Sequence, residues 1–155
     1  MAEADRRLTE LGITLPPARP PSANFVRAKR VGNLLYVAGQ GPAREDGSRI
    51  TGKVGSDLTL DEGYEAARLA GLGILATVRA ILGSLDHVRQ VVKAFGMVNS
   101  APGFDQQADV MNGFSDLMVE VFGDEGRHAR TAVGMVELPR GIAVDVEAIL
   151  EVDHG

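Results

Sequence analysis

Hydrophobic positions along the chain alternate between two spacings, and each change of spacing marks an element. Residues Asn24 to Val31 and Leu34 to Ala38 predict two strands joined by Gly32-Asn33, a two-residue hairpin signal. Gly39-Gln40-Gly41-Pro42 breaks the second strand. Arg44 to Ser48 then reads as a polar loop ahead of a short extended Gly52-Lys53-Val54 piece, a candidate for one more short strand before the first helix. Thr59-Leu60-Asp61-Glu62 has the form of a capping box, so a helix begins there. Ala67, Gly71, Ile74, Val78 and Ile81 recur at steps of four and three as its packing stripe, and Gly83 is its stop. Val91 to Val98 predicts a third long strand. A second helix follows from about Phe104 or Asp105 to Phe122. Its inward stripe is Ala108, Met111, Ser115, Met118 and Phe122, with Asn112 at the edge of that stripe. Arg130 to Pro139 and Ile142 to Glu151, both rich in aliphatic residues and separated by Arg140-Gly141, predict an antiparallel hairpin. Alternation along its second strand puts Ile142, Val144, Val146, Ala148 and Leu150 on a core face, and Ala143, Asp145, Glu147, Ile149 and Glu151 on a mixed face.

Ahead of these elements, Leu8, Leu11 and Ile13 among charges predict a short helix from about Asp5 to Leu11, ended by Gly12. Pro16-Pro17-Ala18-Arg19-Pro20-Pro21 favours extended geometry and offers few amide donors, which makes it a stiff connector. Residues 1–21 are therefore an arm and connector, and 22–155 are the domain. The element order predicts an α+β domain whose two helices cover one face of a mostly antiparallel or mixed sheet. Val91, Phe95, Met97, Val133 and Ile149 are assigned to the other face. Closed association of like chains would bury them, so a homo-oligomer is expected.

Composition narrows the function classes. At 155 residues the chain has the length of one domain and can remove roughly 70% of its unfolded surface from water. It has no cysteine, which excludes disulfides and thiolate chemistry. A formal net charge of −5 and scattered basic residues argue against a nucleic-acid partner. No apolar run approaches the ~20 residues of a membrane span, so no membrane partner is expected and the reading is cytoplasmic.

The inventory of chemistry is short. His87, His128 and His154 show no metal-ligand spacing and read as solvated. Nucleophile-elbow, P-loop and dinucleotide motifs are all missing. Arg130 stands out, because a guanidinium at the start of a buried strand needs an acceptor. That acceptor is either a ligand acid group or an internal carboxylate such as Glu147 or Glu137. Gly39 to Gly41 is likewise either a place of close backbone approach to a ligand or a simple strand exit with a bulge.

The motifs together resemble the RidA/YjgF family of reactive-intermediate deaminases. Leu34-Leu-Tyr-Val-Ala-Gly-Gln40 is similar to the family strand ending in Ser/Ala-Gly-Gln, and Val91-Val-Lys93 to its central strand. Arg130-Thr-Ala-Val-Gly-Met-Val-Glu-Leu-Pro139 is similar to its signature, and Val144-Asp-Val-Glu-Ala-Ile149 to its terminal strand. The correspondence runs from about Asn24 to Val152, and the arm resembles that of a branch with less settled substrates. The resemblance implies a chorismate-mutase-like fold and a homotrimer with clefts between neighbouring subunits. It further implies hydrolysis of 2-imino acids to 2-keto acids and ammonia, without metal or cofactor. On that reading Arg130 holds the substrate carboxylate, and Glu147, Gly39 and Asn112 fall on the other cleft positions. Phe25 stands where the family has a tyrosine, Ala132 where the deaminase branch has a cysteine, and Ala38 where it has a serine. These departures keep open a second reading, a non-catalytic trimeric module that binds small carboxylate metabolites or acts like a chaperone. A third, ribonuclease activity, is disfavoured by the acidic charge and the missing His pair.

Overall fold

A computed structural model describes residues 3–154. Its elements are α1 (Ala4–Glu10), β1 (Ala28–Val31), β2 (Leu34–Gln40), α2 (Leu60–Leu82), β3 (Val88–Asn99), α3 (Gln107–Phe122), β4 (Ala129–Met135) and β5 (Val144–Val152). The capping box forms as expected: Thr59 Oγ1 accepts from the Glu62 amide at 3.1 Å, and the Glu62 carboxylate accepts from the Thr59 amide at 3.1 Å. Gly83 ends α2 in the left-handed region with φ 86°.

The five strands run in the order β1-β2-β5-β3-β4, with antiparallel neighbours except for the parallel β3–β4 pair. The sheet is thus mixed, as the α+β reading requires. The predicted pairing of the last two strands is corrected, because β3 lies between β4 and β5. The Pro139–Gly141 turn, with Arg140 at φ 57°, belongs to a longer connection that passes around the end of β3. Several contacts hold that connection. Leu138 and Ile142 are buried, Asn99 Nδ2 donates to the Ile142 carbonyl at 3.2 Å, and the Ala143 amide donates to the Ile50 carbonyl at 3.0 Å. Residues 50–54 make only isolated bridges, through Thr51 and Val54, so the extra short strand does not form.

Both long helices lie on one face of the sheet. Leu35, Val37, Ala94, Val98, Val144, Val146 and Leu150 meet Ala66, Ala70, Ile74 and Val78 of α2 and Val110, Phe114 and Leu117 of α3. The two helices approach closely at Gly113, where an added Cβ would stand 2.0 Å from the Tyr64 carbonyl oxygen. The α3 stripe differs from the predicted one. Val110, Met111, Gly113, Phe114, Leu117, Met118 and Val121 are buried, whereas Ala108 is exposed and Ser115 half-buried. The helix is turned by about one position because it packs on α2 as well as on the sheet. Ile81, assigned to the α2 stripe, is instead 49% exposed in the last turn of the helix. Ala4, Leu8 and Leu15 of the arm join the same core as the strands.

On the open face Tyr36, Phe95, Met97, Ile149 and Val133 remain partly or largely exposed. Val91 does not belong there. Register shifts around Val91 rotate it into the core, where it is 1% exposed.

Candidate functional site

Two groups of candidate residues emerge, one on each face of the sheet. Arg130 is opposite Ala94 in the β3–β4 register, and Glu147 is opposite Phe95 in the β3–β5 register. Neighbouring β3 residues point to opposite faces, so Arg130 lies on the helix side and Glu147 on the open side. One protomer does not bring them together.

The Arg130 group is built on β4 and α3. The guanidinium is partly buried; its Nη1 donates to Asn112 Oδ1 at 3.0 Å and to Ser115 Oγ at 3.1 Å, and its Nη2 donates to the Ala108 carbonyl at 3.2 Å. All these acceptors are neutral, and among the described residues Arg130 forms no ion pair. Neither Glu147 nor Glu137 is its partner. Of the five N–H donors of an arginine, Nε–H and one Nη2–H remain, a pair able to form a fork on a planar acid group.

Behind Arg130 stands a pair the sequence reading missed. Ser115 Oγ lies 2.9 Å from His128 Nε2, and His128 Nδ1 lies 2.7 Å from the Gly126 carbonyl. His128 packs edge-on against Phe114 with centroids 5.4 Å apart. Burial lowers its pKa first of all, with the nearby Arg130 charge adding to the shift and the Gly126 hydrogen bond opposing it. The expectation of a solvated His128 is corrected; it is the neutral end of a hydrogen-bonded chain. Spacing carried a signal for both residues, since His128 is two positions before Arg130, just ahead of β4, and Ser115 three positions after Asn112 on the helix.

The open-face group surrounds a hollow of about 610 Å³, lined in part by Tyr36, Ala38, Lys93, Phe95, Glu147 and Ile149. Glu147 is exposed. Asp145, two residues earlier on the same face, has a raised pKa, chiefly from burial and then from the Glu147 charge. Gly39 sits against it: a Cβ there would be 2.4 Å from Asp145 Oδ1, so only glycine lets the β2 exit lie over that carboxylate. A register shift between Val37 and Gln40 accompanies the contact. Phe25 is 43% exposed ahead of β1, with the Arg27 guanidinium 5.3 Å above its ring. Ala132 lies opposite Gly96 on the helix side, partly buried against the core. The structure therefore joins Arg130 with Asn112, and Gly39 with the Asp145–Glu147 side of β5, while Phe25 and Ala132 stand apart from both contacts. A larger groove of about 770 Å³ beside α1 holds none of these residues and mixes Glu3, Arg7, Asp86 and Arg89.

Among the described residues no three His, Cys, Asp or Glu side chains gather into a possible metal site, and no helix is long and apolar enough to cross a membrane.

Comparison with known proteins gives consistent matches over nearly the whole chain. A family described as "YjgF/chorismate_mutase-like, putative endoribonuclease" matches residues 5–143. Protein TCP17 of Trypanosoma cruzi is 47% identical over 148 residues, covering 95% of this chain and 92% of its own. The crystal structure of Atu1372 from Agrobacterium tumefaciens, a protein of unknown function, superposes with a TM-score of 0.89 at 47% identity, over 97% of this chain and 92% of the other. A "putative endoribonuclease" from Shewanella oneidensis superposes with a TM-score of 0.92 at 30% identity, over 96% and 99% of the two chains.

Proposed function

We propose, starting from the fact that this chain belongs to the YjgF/chorismate-mutase-like family, that it hydrolyses reactive 2-imino acids, or their enamine tautomers, to 2-keto acids and ammonia. The observation that carries this reading is the Arg130 guanidinium, oriented by neutral acceptors and with two donors left for a carboxylate. Its planar fork fixes the acid group and so aims the adjacent imine carbon. A water molecule adds its oxygen to that carbon while the C=N electron pair moves to nitrogen. The resulting carbinolamine expels ammonia and leaves the ketone. Glu147 is the group suited to take the proton from the water, being exposed in the open-face hollow and, among the described residues, in no ion pair. Protonated imines already react with water, so positioning supplies most of the acceleration.

Because Arg130 and Glu147 occupy opposite faces of one sheet, this chemistry requires the arginine of one protomer to reach the open face of another. A closed homotrimer provides such clefts, and the exposed Tyr36 and half-exposed Phe95 and Ile149 supply apolar surface for it. Gly39, Asn112, Phe25 and Ala132 complete the proposed cleft as backbone, orienting and wall positions.

The test is hydrolysis of 2-iminobutyrate or 2-iminopropionate, followed as keto acid formed. Removing a charged hydrogen-bonding fork lowers kcat/KM by about 100-fold or more, so Arg130→Ala should be nearly inactive. Equal rates in wild type and variant would end the proposal. A second reading, retention of carboxylate metabolites without turnover, is favoured by Phe25, which offers no hydroxyl. Calorimetric binding of keto acids by a protein that leaves imines untouched would select it.

A further inference from the structure

On the helix side of the β2 exit, the connector and the loop after β2 form a cavity of about 320 Å³; it begins one residue beyond Gly39, and its Arg27 also lies over the Phe25 ring. Four arginines are among the residues that line it: Arg19, Arg27, Arg44 and Arg49. They come from separate parts of the sequence of a chain whose net charge is −5. Among the described residues none of the four forms an ion pair. Their recorded partners are neutral. Arg19 donates to the Gly47 carbonyl at 3.1 Å, Arg27 to the Pro20 carbonyl at 3.2 Å, and Arg44 to Ser48 Oγ at 3.3 Å. Those contacts tie the connector and the loop to each other and use only part of each donor set.

Two acids are close in sequence. Glu45 shares the wall without pairing to any of the arginines. Asp46, outside the wall, accepts from the Ser48 amide at 2.9 Å and the Ser48 hydroxyl at 2.6 Å; these bonds, and to a smaller degree the Arg44 charge, hold its carboxyl below the usual range, so it offsets Arg44 in part without an ion-pair contact. The remainder of the wall is preformed. Pro16, Pro17 and Pro20 have fixed φ, Leu69 closes one side, and Gln40 is held by its donation to Thr77 Oγ1 at 3.2 Å. Four like charges offset by one acid on the wall and by Asp46 beside Arg44 leave a net positive site, and an anion lowers its free energy.

We propose that this cavity is a binding site for a small phosphorylated metabolite, distinct from the cleft proposed for imine hydrolysis. A tetrahedral phosphate presents oxygens in several directions and can accept from arginines on different segments at once, whereas a planar carboxylate offers a single two-oxygen edge. The volume suits a phosphate ester or diphosphate of modest size. The prolines and Leu69 take its apolar portion. The cavity shares no lining residue with Arg130, Glu147, Gly39, Asn112, Phe25 or Ala132.

The experiment is isothermal titration of the full chain with inorganic pyrophosphate at fixed ionic strength, with glycerol 3-phosphate as a parallel arm to separate diphosphate from monoester recognition. Saturable one-to-one binding in either arm is expected. Each of Arg44→Gln and Arg49→Gln should weaken it about tenfold or more, because each removes a charge-assisted donor. Both positions are exposed, so the fold should persist, and a calorimetric melt of each variant checks that. Arg130→Ala should leave this binding unchanged, which separates failure here from failure of the imine reading. Absence of saturable heat in both arms overturns the proposal. So does binding that is indifferent to both arginine substitutions, or that acetate displaces at equal concentration.

Discussion

Arg130 donates hydrogen bonds and cannot accept them, and this settles the protons around it. Ser115 Oγ accepts from Arg130, so its own hydrogen is available for His128 Nε2, which must then be bare. His128 Nδ1 faces a carbonyl and therefore carries the ring proton. Protonating Nε2 would reverse the Ser115 contact and set a second cation beside Arg130. The lowered pKa of His128 gives the sign of the consequence: the unfolded chain, titrating near ~6.5, binds the proton more readily than the folded one. The stability held by neutral His128 is complete above that unfolded value and is lost as pH falls through the lower folded value. Asp145, whose pKa is raised, has the opposite sign and stabilises the fold most when protonated at acid pH. Comparing wild type with His128→Gln isolates the histidine. Melting temperatures at pH 7.5 and pH 5 should show the wild type losing more than the variant, and the proposed imine hydrolysis should slow over the same interval in the wild type. Parallel losses would show that the chain of hydrogen bonds does not respond to this proton.

At the level of elements, the contact of α2 with α3 outweighs the cap of α2. Gly113→Ala would put a methyl group against the Tyr64 carbonyl at 2.0 Å, which forces two backbones apart and costs about 2 kcal/mol or more. Thr59→Ala removes a capping box worth about 1 kcal/mol. With about 2–4 °C per kcal/mol at this size, the glycine variant should lose at least twice as much in melting temperature. An equal loss would mean that the helices move apart freely. The contrast also shows what a single sequence conveys. Local chemistry such as Thr59, Glu62 and Gly83 was legible, as was the alternation that buries Val144, Val146, Ala148 and Leu150. Insertion of β3 between β4 and β5 was not, because the parallel β3–β4 register joins residues more than thirty positions apart, as in Ala94 opposite Arg130. The same limit governed the candidate site. Arg130 stood out as a charge on an apolar strand, whereas Ser115 looked like part of a buried stripe until the close approach at Gly113 turned α3.

For the whole molecule, the separation of Arg130 from Glu147 turns an assembly question into a measurable one. If each cleft takes its arginine from one protomer and its glutamate from the next, neither Arg130→Ala nor Glu147→Ala trimers contain a complete site. Mixed trimers do. In an equal mixture of the two variants, half the protomers carry an intact arginine and half an intact glutamate. A given cleft therefore receives both with a probability of about one quarter under random assembly. Co-expressed or co-refolded variants should recover about a quarter of wild-type imine hydrolysis, although each alone is near background. The same preparation should have the mass of three protomers by light scattering. Activity that stays at the average of the two single variants would place both groups in one protomer's own chemistry, or remove Glu147 from it. The mixed sheet disfavours that outcome, because Phe95 puts Thr131 and Glu147 on its own face while its neighbour Ala94 puts Arg130 on the other. In the trimer proposed above, the face that a neighbouring protomer would cover is the same face that carries Glu147.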